Sequence, residues 1–436
     1  MTWMVDEAPS SPVGVAGDGA ANSSKTALPP AAIARLTKIA KEDVEEMIQG
    51  SAVFRIARRK MEDLPRYDPR TVEFGKVLGK GHFCTVREIR SVHMRAVSED
   101  DGDESKEFGV DEEVALVDRY ASGMQTLQEN RALGTGQFVS PSGGTNLVVK
   151  QINKNLMTDK TEFFVGIRSL AVEALFLAAV DHQHIIKLKG LSSHNLCDKN
   201  SFIVLERLHG TLHNKLVEWS ARMRKFGSLT MMVKKNMGEQ KRLFSRERLQ
   251  VAVQIASAVQ YLHENNILFR DLKTENIGLD EEGNVKLFDF GLSREVDPTK
   301  GKPYKLTGMI GSWFYMAPEV YYQKPYDETV DIFSLGIVLW QLVALERLYP
   351  GVSSTQMLEA DVMAKGLRPK VDKDWPDSLK KMLSNMWSED PEDRPSARQV
   401  GIILKREIAA ISEETSQISY TTAPAKGGFL RRRFTT

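Results

Sequence analysis

The chain changes its hydrophobic period several times, and each change predicts an element. From Pro30 to Met61 the sequence has helical character with a basic end, which predicts an accessory helix packed on a domain edge. EFGKVLGKGHFCTVREIR, Glu73 to Arg90, reads as strand, glycine turn, strand. NLVVK, Asn146 to Lys150, resumes a strand, and Phe163 to Val180 is a helix of almost unbroken apolar character. FIVLERL, from Phe202, is a further strand. Leu249, Val253, Ala256, Val259 and Leu262 line one face of a second helix. NVKLFDFG predicts one more short strand, and beyond Ala317 the pattern is mainly helical. Strands come first and helices second, so an α+β protein or two unlike lobes is expected.

Between these elements lie stretches with little apolar content. Residues 1 to 30 are rich in Ala, Gly, Ser and Pro and are expected to be disordered. Residues 91 to 144 are acidic at first and rich in Gly, Ser and Asn later. A stretch that long inside a compact unit reads as a flexible insertion at a loop. Arg222 to Arg248 and the terminal Arg431, Arg432 and Arg433 are basic.

Charge and cysteine content narrow the classes. The net charge of +1 over 436 residues gives no whole-molecule field for nucleic acid or membrane. Two cysteines, Cys84 and Cys197, make no disulfide framework and suit a reducing compartment. Ile332 to Leu345 is the most apolar helix candidate, too short to span a bilayer and interrupted by Ser334, Gly336 and Gln341. A cytoplasmic protein is expected, with the nucleus as the alternative, and with no transmembrane segment and no specific nucleic-acid partner.

The chemistry concentrates in a few places. Gly79 and Gly81 sit between two strands, where the missing Cβ lets backbone N–H groups approach a phosphate; a plain hairpin turn would read the same. Lys150 closes an apolar strand. Glu173 is the one charged residue in its part of the apolar helix, and Lys150 is its natural partner. In ILFRDLKTENIGLD, Ile267 to Asp280, Asp271 and Asn276 bracket Lys273, and Asp289 follows at a strand end in DFG. A carboxylate with an amide oxygen suits Mg²⁺, and a second carboxylate can accept a proton from a hydroxyl; Asx-turns are the simpler account of each aspartate alone.

It is the joint order that decides. A glycine-rich turn, strand lysine, helix glutamate, R-D-L-K-x-x-N, D-F-G and then MAPE, Met316 to Glu319, together resemble the protein kinase signature set. The resemblance runs from about Thr71 to Ile411. It implies an α+β, two-lobed kinase fold: an N-terminal extension over 1–70, a mainly antiparallel N-lobe over 71–208, a helical C-lobe over 209–411 and a basic tail over 412–436. By the same resemblance Leu78, Gly79, Lys80, Gly81 and Val86 would cover ATP. Val148, the gatekeeper Leu205 and the hinge residue Glu206 would meet adenine, and Lys150 would hold the α- and β-phosphates, oriented by Glu173. Asp271 would be the catalytic base and Lys273 would neutralise the transferred phosphoryl group. Asn276 and Asp289 would hold Mg²⁺, with Mn²⁺ as an alternative. Asp331 would brace the catalytic loop, and Glu319 and Arg394 would form a buried pair. DLKTEN and Ser312 are similar to serine/threonine kinases, and LTGMIGSWFYMAPEV is similar to the tyrosine-kinase-like group.

The resemblance implies protein substrates with Ser/Thr acceptors and regulation by an upstream kinase. Arg270 would pair with a phosphate on the activation segment, and Thr307 is the site expected to carry it. Four residues depart from the family, of which Thr274, in place of the usual proline, matters little. Phe269 replaces histidine in H-R-D, and should pack on Phe290 without loss of chemistry. Cys84 replaces the third glycine. Gly278 replaces a large apolar residue expected under adenine, which puts ATP affinity in question. The alternative reading is a kinase-like scaffold that binds partners without transferring phosphate.

Overall fold

The computed structural model describes residues 27–92, 146–228, 234–352 and 354–421, with the side chains of 226–244 and 414–421 outside that description. The insertion expected over 91–144 falls almost wholly outside it. So do most of the disordered segment expected over 1–30 and the terminal arginines.

The N-terminal half is built on one six-stranded sheet with the order β1-β5-β6-β4-β3-β2. Its strands are β1 (Arg66–Tyr67), β2 (Val72–Lys80), β3 (Cys84–Val92), β4 (Leu147–Ile152), β5 (Leu188–Ser192) and β6 (Phe202–Glu206). All neighbours are antiparallel except β1, which runs parallel to β5. The sheet therefore begins before Thr71. A two-residue strand carries no period of its own; its register sets Arg66 opposite Leu191 and Tyr67 opposite Ser192, with the Tyr67 ring tight against Gly190.

One helix, α3 (Lys160–Ala179), crosses the sheet. Asp159 caps it by accepting from the N–H groups of Thr161 and Glu162. Phe163, Ile167, Leu170, Leu175 and Phe176 are all buried, which accounts for its apolar sequence. The segment from Pro30 to Met61 is two helices, α1 (Pro30–Gly50) and α2 (Ala52–Glu62). Ser51 breaks them: it is extended, at φ −117° and ψ 128°, and its hydroxyl accepts from Phe54 N to cap α2. Both helices pack on α3.

The C-terminal half is mainly helical. It comprises α4 (Leu212–Ser228), α5 (Lys234–Glu264), α6 (Thr329–Ala344), α7 (Asp377–Met386) and α8 (Ala397–Thr421). Helix α8 packs along α5 and continues past residue 411, so no break falls at the boundary expected for the tail. Small strands carry the loops: β7 (Gly210–Thr211), β9 (Ile277–Leu279) and β10 (Val285–Leu287) form one sheet, and β8 (Ile267–Leu268) pairs with β11 (Arg294–Glu295). Arg394 grips both oxygens of Glu319 at 2.5 and 3.0 Å, a buried bidentate pair tying the MAPE segment to the lower helices. Among the described residues no helix is long and apolar enough to cross a membrane.

Candidate active site

Two ionic clusters form the site. The first joins three distant parts of the chain. Lys150 Nζ on β4 lies 2.6 Å from Glu173 Oε2 on α3 and 2.9 Å from Asp289 Oδ1. Burial works against the Lys150 charge, but Asp289 and Glu173 overcome it and hold the ammonium above the usual lysine range. Burial pushes the Glu173 carboxyl up to about 7, against the pull of Lys150. Asp289 is desolvated too, yet Lys150 and Lys273 hold it below its ordinary value. Asp289 takes a left-handed backbone, φ 70°. The next turn lies so close to α3 that a Cβ on Gly291 would fall 2.2 Å from Ser169 Oγ.

The second cluster is local. Lys273 Nζ is 2.9 Å from Asp271 Oδ2, and Asn276 Nδ2 donates to the same oxygen at 2.8 Å and to the Asp271 carbonyl at 2.9 Å. Ser312 Oγ donates to Asp271 Oδ1 at 2.8 Å and accepts from Lys273 at 2.8 Å. Fully buried Asp331 fixes the loop from below, accepting from Phe269 N and Arg270 N, both at 2.8 Å, with His263 Nε2 at 2.9 Å. Those bonds hold Arg270 at φ 67°, a conformation that L-residues other than Asn and Asp rarely adopt.

Above these clusters, Gly79 and Gly81 flank the exposed tip of the β2–β3 hairpin with Leu78 and Lys80. Val86 pairs with Lys150 in register and Val148 with Leu205, so these apolar residues share the part of the sheet that carries the lysine. The Glu206 carboxylate turns back to Lys187 N at 2.8 Å and to Lys286 at 3.4 Å. Asn276 commits its amide nitrogen to Asp271, so its oxygen is the end left to accept. Asp289 commits one carboxylate oxygen to Lys150. Two hard oxygen donors from separate segments fit a divalent cation that keeps water and phosphate oxygens as its other ligands. Among the described residues no cluster of three His, Cys, Asp or Glu side chains offers another metal site.

The model of the protein kinase domain matches residues 127–402, more than half of the chain. The chain belongs to the protein kinase family. It is 29% identical over 301 residues to the serine/threonine-protein kinase STY17 of Arabidopsis thaliana, covering 68% of this chain and 47% of that one. It is 35% identical over 201 residues to STY46 of the same plant, covering 45% and 34%. It is also 36% identical over 151 residues to the dual specificity protein kinase shkA of Dictyostelium discoideum, covering 34% and 29%. The kinase thus spans less than half the length of each of these relatives. The family match starts beyond the glycine turn, yet β2 and β3 join β4 in one sheet.

This kinase departs from its family in ways the structure accounts for. A Cβ on Gly278 would lie 2.3 Å from Leu208 Cδ1, so the Leu208 side chain, just beyond β6, fills the space a larger residue at 278 would take. Phe269 meets Phe290 edge to face, with centroids 5.1 Å apart. Burial pushes the Cys84 thiol up to about 12, which suits a packing residue and not a nucleophile. Sequence reading missed Asn153. It is buried and donates to the Gly81 and His82 carbonyls at 2.8 Å, its N–H donates to Phe83 O at 2.8 Å, and it accepts from Thr85. An asparagine three residues past a strand lysine carries no signal of that role.

Proposed function

We propose that the chain transfers the γ-phosphoryl group of ATP to serine and threonine hydroxyls of proteins. The observation that carries this reading is the Lys150 ammonium shared by Glu173 at 2.6 Å and Asp289 at 2.9 Å. A lysine so held presents a fixed positive charge for phosphate oxygens, and phosphoryl transfer needs positioning and charge stabilisation above all. Leu78, Gly79, Lys80, Gly81 and Val86 cover the nucleotide, while Val148, Leu205, Glu206 and Leu208 bound its base. Asn276 and Asp289 would hold Mg²⁺, which supplies charge neutralisation at the phosphates when bound; their oxygen donors suit Mn²⁺ as well.

Asp271 accepts the proton of the substrate hydroxyl. The hydroxyl oxygen bonds to the γ-phosphorus as the bond to the β–γ bridging oxygen breaks, and ADP leaves with that electron pair. Lys273 faces the transferred group. The hydroxyl of Ser312, which bridges Asp271 and Lys273 and donates to this carboxylate at 2.8 Å, supports that reading. Regulation runs through Arg270, which donates to Tyr326 OH at 3.0 Å, and Tyr326 OH donates to the Thr307 carbonyl at 2.7 Å. Thr307 is exposed, as an upstream kinase requires.

Labelled γ-phosphate supplied with Mg-ATP to the full chain and to generic Ser/Thr and Tyr peptides tests the reading. Transfer to serine or threonine that disappears in Asp271→Asn supports it. Transfer to tyrosine as well would make the enzyme dual-specific, like the relative shkA. Absence of both transfer and ATP binding would leave the scaffold reading.

A further inference from the structure

The N-terminal hairpin of α1 and α2 is not used by the chemistry above, yet it touches both α3, which carries Glu173, and β11, the strand that follows Asp289. It meets α3 along its length. Asp43 pairs with Arg168 at 2.6 Å, Arg168 also contacts Met47 Sδ at 3.2 Å, and Lys60 Nζ donates to the Ala179 carbonyl at the end of the helix, at 2.9 Å. Between these points Phe54 stacks edge-on against Phe176, centroids 4.7 Å apart. Phe176 lies 6.4 Å from Phe290 and Phe290 5.1 Å from Phe269, so one aromatic column runs from the hairpin to the catalytic loop.

The hairpin also reaches the strand after DFG. Ser51, in the break between its helices, donates to the Glu295 carboxylate, and Val53 N donates to Glu295 Oε1 at 3.3 Å. Glu295 lies on β11, whose partner β8 leads directly into Phe269. The Lys150–Glu173–Asp289 contact needs α3 and the Asp289 turn placed at once. This one hairpin holds both.

We infer that residues 30–62 form a built-in clamp that fixes α3 and the strand after Asp289 in the arrangement where Glu173 meets Lys150. Asp43, Ser51 and Phe54 are positioning residues; each acts through Arg168, Glu295 or Phe176 and none reaches the cluster itself. The clamp deepens the proposed phosphotransferase function and, for its kinetic effect, rests on it. A ring packed at 4.7 Å resists displacement of the helix that carries Phe176, because moving α3 outward opens a void beside both rings.

The test uses the full chain with Phe54→Ala, Asp43→Arg, Arg168→Asp and the Asp43→Arg/Arg168→Asp double variant. Amide hydrogen exchange across 160–179 is read with kcat and ATP KM on a generic Ser/Thr peptide. Phe54→Ala is expected to speed exchange in α3 at least tenfold and to raise ATP KM at least fivefold, while α6 stays protected. Each single charge reversal should raise ATP KM several-fold, and the double variant should return it to within twofold of wild type. Wild-type exchange in α3 and unchanged KM in all variants would overturn the clamp. A Phe54→Ala chain that fails to fold leaves the decision to the charge swap. If wild type transfers no phosphate, the functional reading falls, and α3 exchange alone decides the clamp.

Discussion

The two ionic clusters of the site are made of similar groups and built in opposite ways. The Asp271 cluster is local: Lys273 and Asn276 lie on the same loop, and Asp331 holds that loop by its backbone. The Lys150 cluster is assembled from a strand, a helix and a distant turn, and exists only when all three are in place. The local cluster is ready whenever its half of the molecule is folded. The assembled one depends on where α3 sits, so it is the part of the site that can be made or unmade without unfolding anything.

That contrast can be broken from either side. The largest expected effect is chemical: Asp271→Asn should lower kcat by about 10²–10⁴-fold, with ATP KM near wild type in steady-state assays. Next comes the support beneath the loop. Asp331→Ala removes the acceptor from two backbone N–H groups and should cost about 3–5 kcal/mol, read as a lower denaturant midpoint. No comparable loss of stability is expected from Glu173→Gln, which spares the fold and disturbs only the assembled cluster.

Acidity separates the clusters further. Because burial raises Glu173 from its ordinary 4.5 to about 7, folding takes up a proton there. Its contribution to stability is complete below pH 4.5 and is lost as the pH rises through 7. Activity should move the other way, since the ionised carboxylate orients Lys150. The value of kcat/KM for ATP should rise about tenfold from pH 6 to pH 8, and Glu173→Gln should flatten that limb. The smallest effect concerns the proposed adenine floor. Leu208→Ala should weaken ATP binding about fivefold in a titration with a fluorescent nucleotide, and adding Gly278→Leu should restore most of it. Failure of the second substitution to rescue the first would show that Leu208 does not serve as that floor.

Legibility in the sequence follows the same division. The loop, the strand lysine and the helix glutamate were readable because each is a charge set in an apolar context, and such a charge needs a partner. Phe269 on Phe290 was readable because one ring can replace another. Leu208 was not, since the space beside Gly278 is filled from a different strand end and neither residue alone reports the exchange. Asn153 holds the glycine turn through bonds to backbone carbonyls, which any residue type supplies. The break at Ser51 was missed because the helical pattern continues on both sides; only the cap and the contact with Glu295 mark it.

Phe269 has one more consequence. A histidine there would place a ring that can take up a proton near neutral pH at the catalytic-loop end of the aromatic column, against Phe290. Phenylalanine cannot be charged. The column from Phe54 to Phe269 therefore holds no ionisable ring, and the charges described beside it sit on neighbouring residues, among them Arg168, Arg270 and Glu295.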